Sequence, residues 1–493
     1  MTQAVLTIIV ILAILLSLHL FIIVWLVWQQ GHAKQKTNQD HPAYLVVYAS
    51  QSGHAESWAN HTAEQLRLID HRTAIRNIQE LSITDLTQHQ RILWVVSTYG
   101  EGDAPDAAQS FVHKILSQSL DLSHLSFSVL ALGDQRYSNF CQFGKTLEQW
   151  LLKQQAQALF PIVCVDQLNS RDLEQWLLGL EQLTSTQFSA LSIEKEHVEL
   201  KFAHRQCLNR GSIGEAIYKI QLIPEQDLVW SSGDILEIQC ENNTIDIQNF
   251  LVAQQQEDAV DFIPQLRRLN LRKLPPRASL SFAEWITQFE SLAQREYSIA
   301  SLPENGLIEL VVRQQQTESG LGLGSGWLTV GLEQDQSLQA NIRHNPSFHL
   351  VHDDRPLILI GNGTGIAGLV AHLRQREHWG YRRNWLIFGE RQQQFDHLYQ
   401  TEIRYWQQHG FLEHVDYAFS RDQAEKIYVQ DCLRTQSIKL QAWIAQGAAI
   451  YVCGSLQGMA SGVDQVLKEI LGHEQVELLK QQQRYQRDVY EDV

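Results

Sequence analysis

The sequence predicts a multidomain α/β protein in which a transmembrane helix precedes a doubly wound parallel sheet, a β-barrel and a second parallel α/β domain. Residues 4–28 carry no formally charged side chain. Beyond them, two stretches of short apolar runs alternate with helical patterns, which is typical of parallel sheets. A region of strand-like alternation separates these stretches. The chain of 493 residues also exceeds one hydrophobic core, at about 100–200 residues per domain.

The composition argues against nucleic-acid binding and excludes most iron–sulfur and zinc sites. A formal net charge of −16 argues against nucleic-acid binding, which needs Lys and Arg to neutralise phosphates. The same charge favours an acidic face for a basic redox partner. The six cysteines are scattered without a C-x-x-C pair, so we expect no metal site and see no sign of a disulfide framework.

Residues 1–41 are predicted to be a membrane anchor and a polar stalk. About 20 apolar residues are enough to cross a bilayer. A cleaved signal peptide is the weaker alternative, because the first three residues include no Lys or Arg and no small-x-small site follows. The nearest basic residues, Lys34 and Lys36, follow the apolar run and place the rest of the chain in the cytoplasm. We therefore expect a single-pass protein of the inner (cytoplasmic) membrane with cytoplasmic catalytic domains.

Three further domains are predicted after the stalk. The first covers 42–185, with strands at 45–48, 92–96, 127–132 and 162–165 and helices at 56–68 and 106–116. The second covers 192–345, a β-barrel with strands at 216–222 and 232–238 and a mixed helical insert at 243–290. The third covers 350–493 and returns to βαβ form, with strands at 357–360, 384–388 and 449–453, the last of which is predicted to be the final core strand.

A polar run follows the first strand of the 42–185 domain. It consists of Ser50, Gln51, Ser52, Gly53, His54 and Ala55. Hydroxyls and backbone N–H groups at a helix start can bind a terminal phosphate. Helix capping needs only one Ser or Asp, and this run has more polar residues than capping requires. Taken alone, the run is compatible with both phosphate binding and helix capping.

Two later loops at the same sheet edge each present a tyrosine close to glycine. The first contains Ser97, Thr98, Tyr99 and Gly100, and the second contains Leu132, Gly133, Asp134, Tyr137, Phe140 and Cys141. Ligands bind at the carboxyl edge of parallel sheets, where two tyrosines can sandwich a planar ring. Ordinary loop packing of the tyrosines is the alternative.

With these loops the domain resembles a flavodoxin, and the loops are similar to those of the diflavin reductases. The resemblance implies FMN phosphate contacts at 50–55 and stacking of the FMN ring by Tyr99 and Tyr137. It also implies an acidic rim of Glu101, Asp103, Asp106 and Asp134. Such a rim can steer a basic acceptor, and it can equally be a solvated surface.

A second flavin site is implied by Arg295-Glu296-Tyr297-Ser298, which resembles the R-x-Y-S element of the ferredoxin-reductase-like fold. In that fold the Arg meets the FAD pyrophosphate, the Tyr packs on the ring and the Ser reaches N5. The tetrapeptide alone is weak evidence. It is followed by a loop similar to the family's second pyrophosphate loop, with Gly322, Gly324 and Ser325.

The last domain carries a predicted nucleotide turn. Gly363, Thr364 and Gly365 follow a buried strand and precede a helix, the context that such a turn requires. Two cations and hydroxyls follow in one loop and helix start, at Ser420, Arg421, Lys426, Tyr428 and Gln430. Because a 2′-phosphate needs such groups, NADPH is favoured over NADH; a solvated charged turn is the alternative.

The motifs most closely resemble diflavin reductases of the sulfite reductase flavoprotein and cytochrome P450 reductase type. The resemblance implies that Ser298, Cys453 and Asp488 surround the hydride path. It further implies that Tyr490 covers the FAD ring until nicotinamide displaces it. A lone buried Cys is more often a packing residue, so the role of Cys453 depends on the motif around it.

Four departures from the family pattern limit this comparison. Asn362 and Gly368 stand where the family often has Pro, and we expect them to loosen the nucleotide turn. Gly462 replaces an Asp near the nucleotide, which puts coenzyme affinity in question. The insert is shorter than the family's connecting domain, which leaves the interflavin geometry open. Residues 491–493 extend beyond Tyr490 and could modulate how readily that aromatic lid moves.

The implied activity is an NADPH-dependent diflavin reductase that passes electrons from NADPH to FAD, from FAD to FMN, and from FMN to an acceptor. The resemblance favours a haem protein or a sirohaem-containing sulfite reductase as acceptor, and the predicted anchor leaves a ferric-siderophore or iron reductase open. A flavin-binding redox sensor without turnover and a one-flavin oxidase or dehydrogenase are the alternatives from other classes.

Overall fold

The computed structural model describes residues 44–50, 53–70, 72–98, 102–135, 139–188, 197–318 and 320–490. The chain divides into two compact units, Met1–Ser192 and Ile193–Val493. Each unit is described by itself.

A parallel sheet with helices on both faces forms the first unit. Its strands are β1 Tyr44–Ala49, β2 Thr73–Asn77, β3 Arg91–Ser97, β4 Ser126–Gly133, β5 Gln157–Ala158 and β6 Val163–Asp166. The strand order is β2-β1-β3-β4-β5, β6 also pairs with β4, and all pairs are parallel. The helices are α1 His54–Ile69, α2 Ile83–Gln88, α3 Gln109–Lys114, α4 Gln142–Lys153 and α5 Ser170–Thr184. The predicted doubly wound parallel sheet is therefore present.

Both faces of this sheet are covered, which explains its continuous apolar strands. In β1, Leu45 and Val47 pack in one hydrophobic cluster, together with residues of α3 and α4. Tyr44 and Val46 pack in a second cluster, together with residues of α1 and α5. Successive strand side chains point to opposite faces, so each central strand contributes to both clusters.

An antiparallel barrel opens the second unit. Its strands are β7 Val198–Cys207, β8 Ile217–Pro224, β9 Ile235–Ile238, β10 Arg295–Ser298, β11 Ile308–Arg313 and, after the short β12 Gln316–Thr317 and β13 Gly320–Leu321, β14 Ser337–Arg343. The order is β10-β9-β14-β7-β8-β11. An antiparallel bridge between Ile299 and Leu310 joins the two outer strands, and this contact closes the sheet.

The predicted insert lies between β9 and β10 and packs a small hydrophobic core of its own. Its helices are α6 Thr244–Ala253, α7 Ile263–Leu266 and α8 Phe282–Ile286. The core contains Phe250, Trp285 and Phe289, and the rings of Phe250 and Trp285 stack with centroids 6.1 Å apart. A further short helix, α9 Leu323–Gly326, precedes β14.

A five-stranded parallel sheet completes the second unit. Its strands are β15 Leu357–Asn362, β16 Asn384–Glu390, β17 His414–Phe419, β18 Ala449–Ser455 and β19 Tyr485–Tyr490, in the order β17-β16-β15-β18-β19. Its helices are α10 Ile366–His378, α11 Gln400–Gln408, α12 Val429–Thr435, α13 Ser437–Ala445, α14 Ser461–Leu471 and α15 His473–Gln481. β18 is buried along its whole length, and a further edge strand that the sequence analysis does not predict, β19, pairs with it in parallel from Ile450–Tyr485 to Ser455–Tyr490.

The predicted membrane localisation is corrected here. The predicted anchor, residues 4–28, lies outside the described residues. Among the residues that are described, no helix is long and apolar enough to cross a membrane. The longest of these helices, α1, has 16 residues, and nine of them are polar or charged, whereas a span needs about 20 apolar residues. The predicted single-pass membrane localisation is therefore wrong for the described residues.

Candidate functional site

Three of the predicted catalytic side chains meet at one carboxylate oxygen. Ser298 ends β10, while Cys453 in β18 is in register with Asp488 in β19. Ser298 Oγ donates a hydrogen bond to Asp488 Oδ2 at 2.8 Å. Cys453 Sγ lies 3.8 Å from the same oxygen. The carboxylate thereby connects the barrel with the parallel sheet of the second unit.

Burial sets the protonation of this cluster. Cys453 is completely buried, and burial raises the pKa of its thiol well above the ordinary value, with the charge of Asp488 acting in the same direction. Burial also raises the pKa of the Asp488 carboxyl, which the hydrogen bond from Ser298 opposes. Cys453 is therefore a neutral thiol near pH 7 and acts as a weak hydrogen-bond donor rather than as a nucleophile.

Tyr490, the predicted lid residue, contacts the predicted nucleotide turn. Its hydroxyl oxygen lies 2.6 Å from Thr364 Oγ1, a hydrogen bond that either hydroxyl can donate. Thr364 lies between Gly363 and Gly365 in a single 3₁₀ turn directly after β15. The end of β19 and the glycine turn therefore lie side by side.

The glycines of this turn leave no room for side chains. A Cβ at Gly361 would lie 2.3 Å from the carbonyl oxygen of Cys453, and a Cβ at Gly365 would lie 2.2 Å from the same oxygen. Gly363 has φ +56°, a left-handed conformation that favours glycine. Only glycine allows the turn to pack this closely against β18.

Two departures from the family pattern have structural roles that differ from the predicted loosening. Asn362 Oδ1 accepts a hydrogen bond from Ser455 N at 3.0 Å, so Asn362 ties the turn to β18. Gly368 lies in the first turn of α10, where a Cβ would come within 3.2 Å of Cys453 Sγ. Asn362 therefore fixes the turn, and Gly368 leaves space beside the thiol of Cys453.

Of the five residues predicted to meet the 2′-phosphate of the coenzyme, four line one cavity of about 520 Å³. They are Ser420, Arg421, Tyr428 and Gln430. Asn362, Gly363 and Ser455 line it too, so the cavity reaches the glycine turn. Lys426 is exposed and does not line it. A Cβ at Gly462 would lie 3.0 Å from Gln430 Nε2, so the missing Asp side chain of the family would point at Gln430.

The same cavity is lined by a network of charged residues that sequence analysis misses. Arg313 pairs with Glu390 at 3.0 Å and with Glu215 at 3.4 Å. Arg391 pairs with the same oxygen of Glu215 at 2.9 Å. These residues are far apart in sequence and belong to no motif, so only the fold brings them together.

The predicted FAD residues are adjacent in the barrel. A Cβ at Gly324 would lie 2.7 Å from Arg295 Cγ, which places the loop against the R-x-Y-S strand. Ser325 Oγ accepts a hydrogen bond from Gln315 N at 3.0 Å, and Gly322 is the residue before α9. Burial raises the pKa of Tyr297, whose ring packs against the barrel core. The two predicted pyrophosphate elements therefore meet.

In the first unit, the predicted phosphate loop begins with an unsatisfied hydroxyl. Ser50 Oγ is buried and has no hydrogen-bond partner among the described residues. Gly53 has φ +84° and immediately precedes α1, which starts with His54 and the fully buried Ala55. A buried polar atom without a partner is costly, so this hydroxyl is suited to a ligand oxygen.

The two predicted ring loops lie next to each other. A Cβ at Gly102 would lie 2.8 Å from the Cβ of Asn139. Thr98 Oγ1 accepts a hydrogen bond from Phe143 N at 3.2 Å. The remaining described loop residues are Ser97, Leu132, Gly133, Asp134, Phe140 and Cys141, whereas Gln51, Ser52, Tyr99, Gly100, Glu101 and Tyr137 lie outside the described residues, as does the Asp106 side chain.

Comparisons with known proteins match both units. A family model described as flavodoxin matches residues 46–177, and one described as oxidoreductase NAD-binding domain matches residues 359–465. The chain is 28% identical to the sulfite reductase [NADPH] flavoprotein alpha-component of Mannheimia succiniciproducens, over 94% of this chain and 93% of the relative. The proteins of the same name from Neisseria meningitidis serogroup B and Bacillus subtilis are 29% and 28% identical, each over 90% of this chain and 89% of the relative.

Proposed function

Because the chain belongs to the diflavin reductase family, we propose that it reduces a haem or sirohaem protein with electrons from NADPH. It is an NADPH-dependent flavoprotein reductase, and its cofactors are FMN, FAD and NADPH. These three predictions from the sequence are confirmed. The acceptor and the roles of individual residues are our proposal.

Features of the described residues support one site for each cofactor. The unpartnered Ser50 Oγ is suited to the FMN phosphate. The close approach of Gly324 to Arg295 is suited to the FAD pyrophosphate, which a guanidinium binds through paired hydrogen bonds. The cavity lined by Ser420 and Arg421 is suited to the 2′-phosphate of NADPH.

When bound, the two flavins together convert the two-electron hydride chemistry of the nicotinamide into one-electron transfer. The chain supplies alignment. Asp488 Oδ2 holds the Ser298 hydroxyl and lies near the Cys453 thiol, so both side chains have fixed directions. Cys453 keeps its proton because burial raises the pKa of the thiol. Alignment of this kind raises the rate of transfer between bound groups.

The observation that carries the proposal is the meeting of three distant segments at Asp488. Ser298 from the barrel and Cys453 from β18 both contact its Oδ2 atom, while Tyr490, two residues further along β19, reaches the turn at Thr364. A structural role alone does not require a serine, a thiol and a carboxyl group at one point beside a nucleotide turn.

The acceptor is proposed from charge and from the relatives. The chain carries a net charge of −16, and Asp103 is exposed in the first unit, beside the predicted flavin loops. An acidic surface favours fast encounter with a basic protein. The relatives are flavoprotein components named for sulfite reductase, which favours a sirohaem protein. The iron-reductase alternative depended on the anchor and has no observation in its favour.

An anaerobic NADPH titration of the full chain tests this proposal. Released FMN and FAD are quantified first. A sulfite reductase haemoprotein, cytochrome c and a ferric chelate are then offered as acceptors at low and high salt. We expect equal amounts of the two flavins, bleaching by NADPH, and reduction of the haemoprotein that weakens as salt screens the charges.

Each other outcome contradicts a stated part of the proposal. Flavins that stay oxidised would favour the redox sensor, and FAD without FMN would favour the one-flavin enzyme. Bleached flavins that reduce only the ferric chelate would leave the reductase intact and refute the haem or sirohaem acceptor.

A further inference from the structure

Two cysteines of the first unit lie on the same face of its sheet. In the β4–β6 pair, Ala131 is in register with Cys164. Cys141, the residue before α4, donates a hydrogen bond from its Sγ to the carbonyl oxygen of Ala131 at 3.2 Å. Both sulfurs pack in the same hydrophobic cluster.

The fold holds Cys141 firmly in this position. A Cβ at Gly144, one turn into α4, would lie 2.4 Å from the Cβ of Ala131, so α4 packs tightly on β4. A Cβ at Gly133 would lie 2.8 Å from Cys141 Sγ. Because the start of α4 is held against β4, the Cys141 sulfur remains next to the strand that pairs with Cys164.

The two thiols differ in reactivity. The neighbouring Cys141 side chain lowers the pKa of the Cys164 thiol to about 7, and the charge of Lys145 acts in the same direction. The same interaction, together with burial, raises the pKa of Cys141. Cys164 is partly exposed and Cys141 is buried. Cys164 is therefore the reactive thiolate, and Cys141 is placed to resolve an oxidised Cys164.

Three other cysteines lack this combination of partial exposure and a lowered thiol pKa. Cys240 and Cys453 are buried, and burial raises the pKa of each thiol. Cys432 is partly exposed like Cys164, but burial raises the pKa of its thiol to about 11. Cys432 therefore serves as an internal control, because its side chain is partly exposed but its thiol pKa is not lowered.

We propose that Cys141 and Cys164 are a redox modification site at which a hydroperoxide forms a reversible disulfide. The Cys164 thiolate attacks one peroxide oxygen, the O–O bond breaks, and the departing hydroxide takes up a proton to give water. Cys141 sulfur then attacks the sulfenic sulfur of Cys164, the S–O bond breaks, and a second water leaves with the Cys141 proton. Two thiols lose two electrons and one hydrogen peroxide becomes two waters; a dithiol reverses the reaction.

The disulfide would affect the loop that ends at Cys141. Residues 132–141 form one of the predicted FMN ring loops, and bridging Cys141 to β6 restrains the exit of that loop. We expect slower reduction of cytochrome c by the oxidised chain. This consequence rests on the proposed function, whereas formation of the disulfide does not.

The test exposes the full chain to hydrogen peroxide, blocks remaining thiols with maleimide and maps peptides by mass spectrometry. We expect a peptide linking Cys141 to Cys164 that dithiothreitol abolishes, while Cys432 remains blocked by maleimide. Before oxidation, maleimide should label Cys164 more than about tenfold faster than Cys432 near pH 7.

Two variants keep the test decisive. Cys164→Ser should retain basal cytochrome c reduction, form no linked peptide and lose the response of the rate to peroxide. Cys141→Ser, if it folds, should accumulate a sulfenic acid at Cys164 that dimedone traps. The proposal is refuted if wild-type Cys164 accumulates the same dimedone adduct without a linked peptide, or if Cys164 is labelled no faster than Cys432. A linked peptide with an unchanged reduction rate would confirm the site and refute only the predicted effect on FMN.

Discussion

Replacing Ser298 by alanine tests the central contact of the proposed active site. The change removes the donor of the 2.8 Å hydrogen bond to Asp488 Oδ2 and leaves the backbone of β10 in place. A hydrogen bond to a charged group contributes about 1.5–3 kcal/mol. Each 1.36 kcal/mol changes a rate about tenfold. If the whole energy of this hydrogen bond stabilises the transition state, its loss should slow flavin reduction about 10- to 150-fold.

Anaerobic stopped-flow mixing with NADPH measures this rate from flavin absorbance, and chemical reduction by dithionite shows that the bound flavins remain reducible. Burial raises the pKa of the Asp488 carboxyl, and the hydrogen bond from Ser298 opposes this shift because it favours the charged form. Its loss should raise that pKa and move the pH dependence of the rate to higher pH.

Two results would refute this reasoning. One is a Ser298→Ala protein that binds FAD normally and reduces it at the wild-type rate with an unshifted pH profile. The other is full additivity with Asp488→Asn, since residues that share one hydrogen bond should show coupled effects.

Three further predictions concern the coenzyme cavity, the glycine turn and a buried histidine. Arg421→Gln should lower the ratio of kcat/KM for NADPH to that for NADH at least about tenfold by loss of a charge-assisted bond, while Lys426→Gln, outside the cavity, should change it much less. Gly365 has φ −60°, which alanine can adopt, but the new Cβ would lie 2.2 Å from the carbonyl oxygen of Cys453, so Gly365→Ala should lower the free energy of unfolding by about 1–3 kcal/mol in urea titrations. Burial lowers the pKa of His372 from 6.5 to about 3; the unfolded chain then binds a proton that the folded chain does not, and stability falls by up to about 1.4 kcal/mol per pH unit as the pH drops below 6.5. His372→Leu should remove this contribution to the pH dependence of stability, which is measured as the urea midpoint between about pH 7 and pH 5. If the midpoint of the variant falls with pH as steeply as that of the wild type, His372 is not a buried neutral histidine.

The apolar runs predict central strands that are buried on both faces and miss partly exposed strands, of which β19 is an example. The strands predicted at 45–48 and 357–360 lie within β1 and β15, because continuous apolar residues are typical of covered parallel strands. β19 has the polar sequence YQRDVY, and only its first two residues are buried while the other four are partly exposed. It becomes a strand through pairing with β18, a tertiary effect that local patterns do not contain.

Residues of the candidate site that belong to a sequence motif could be predicted, whereas residues that only the fold brings together could not. The resemblance implied that Ser298, Cys453 and Asp488 come together. It gave no sign that Asn362 would bind Ser455, because a side chain replacing Pro adds a contact that the motif does not specify. The ion pairs of Arg313 and Arg391 likewise join three separate segments of the chain. No spacing in the sequence predicts these pairs.

Cys453 links the glycine turn at 363–365 to Ser298 and Asp488, because its backbone and its side chain contact different parts of the proposed site. Its carbonyl oxygen lies where a Cβ of Gly361 or Gly365 would be, and its thiol lies 3.8 Å from Asp488 Oδ2. Cys453→Ser keeps the backbone, so it should leave the Kd for NADP⁺ unchanged while slowing flavin reduction. Gly365→Ala displaces that backbone and should weaken binding and slow reduction together. Calorimetry for the Kd and stopped-flow for the rate separate the two effects; a weakened Kd in Cys453→Ser with an unchanged rate would show that the thiol serves the nucleotide turn and not the hydride path.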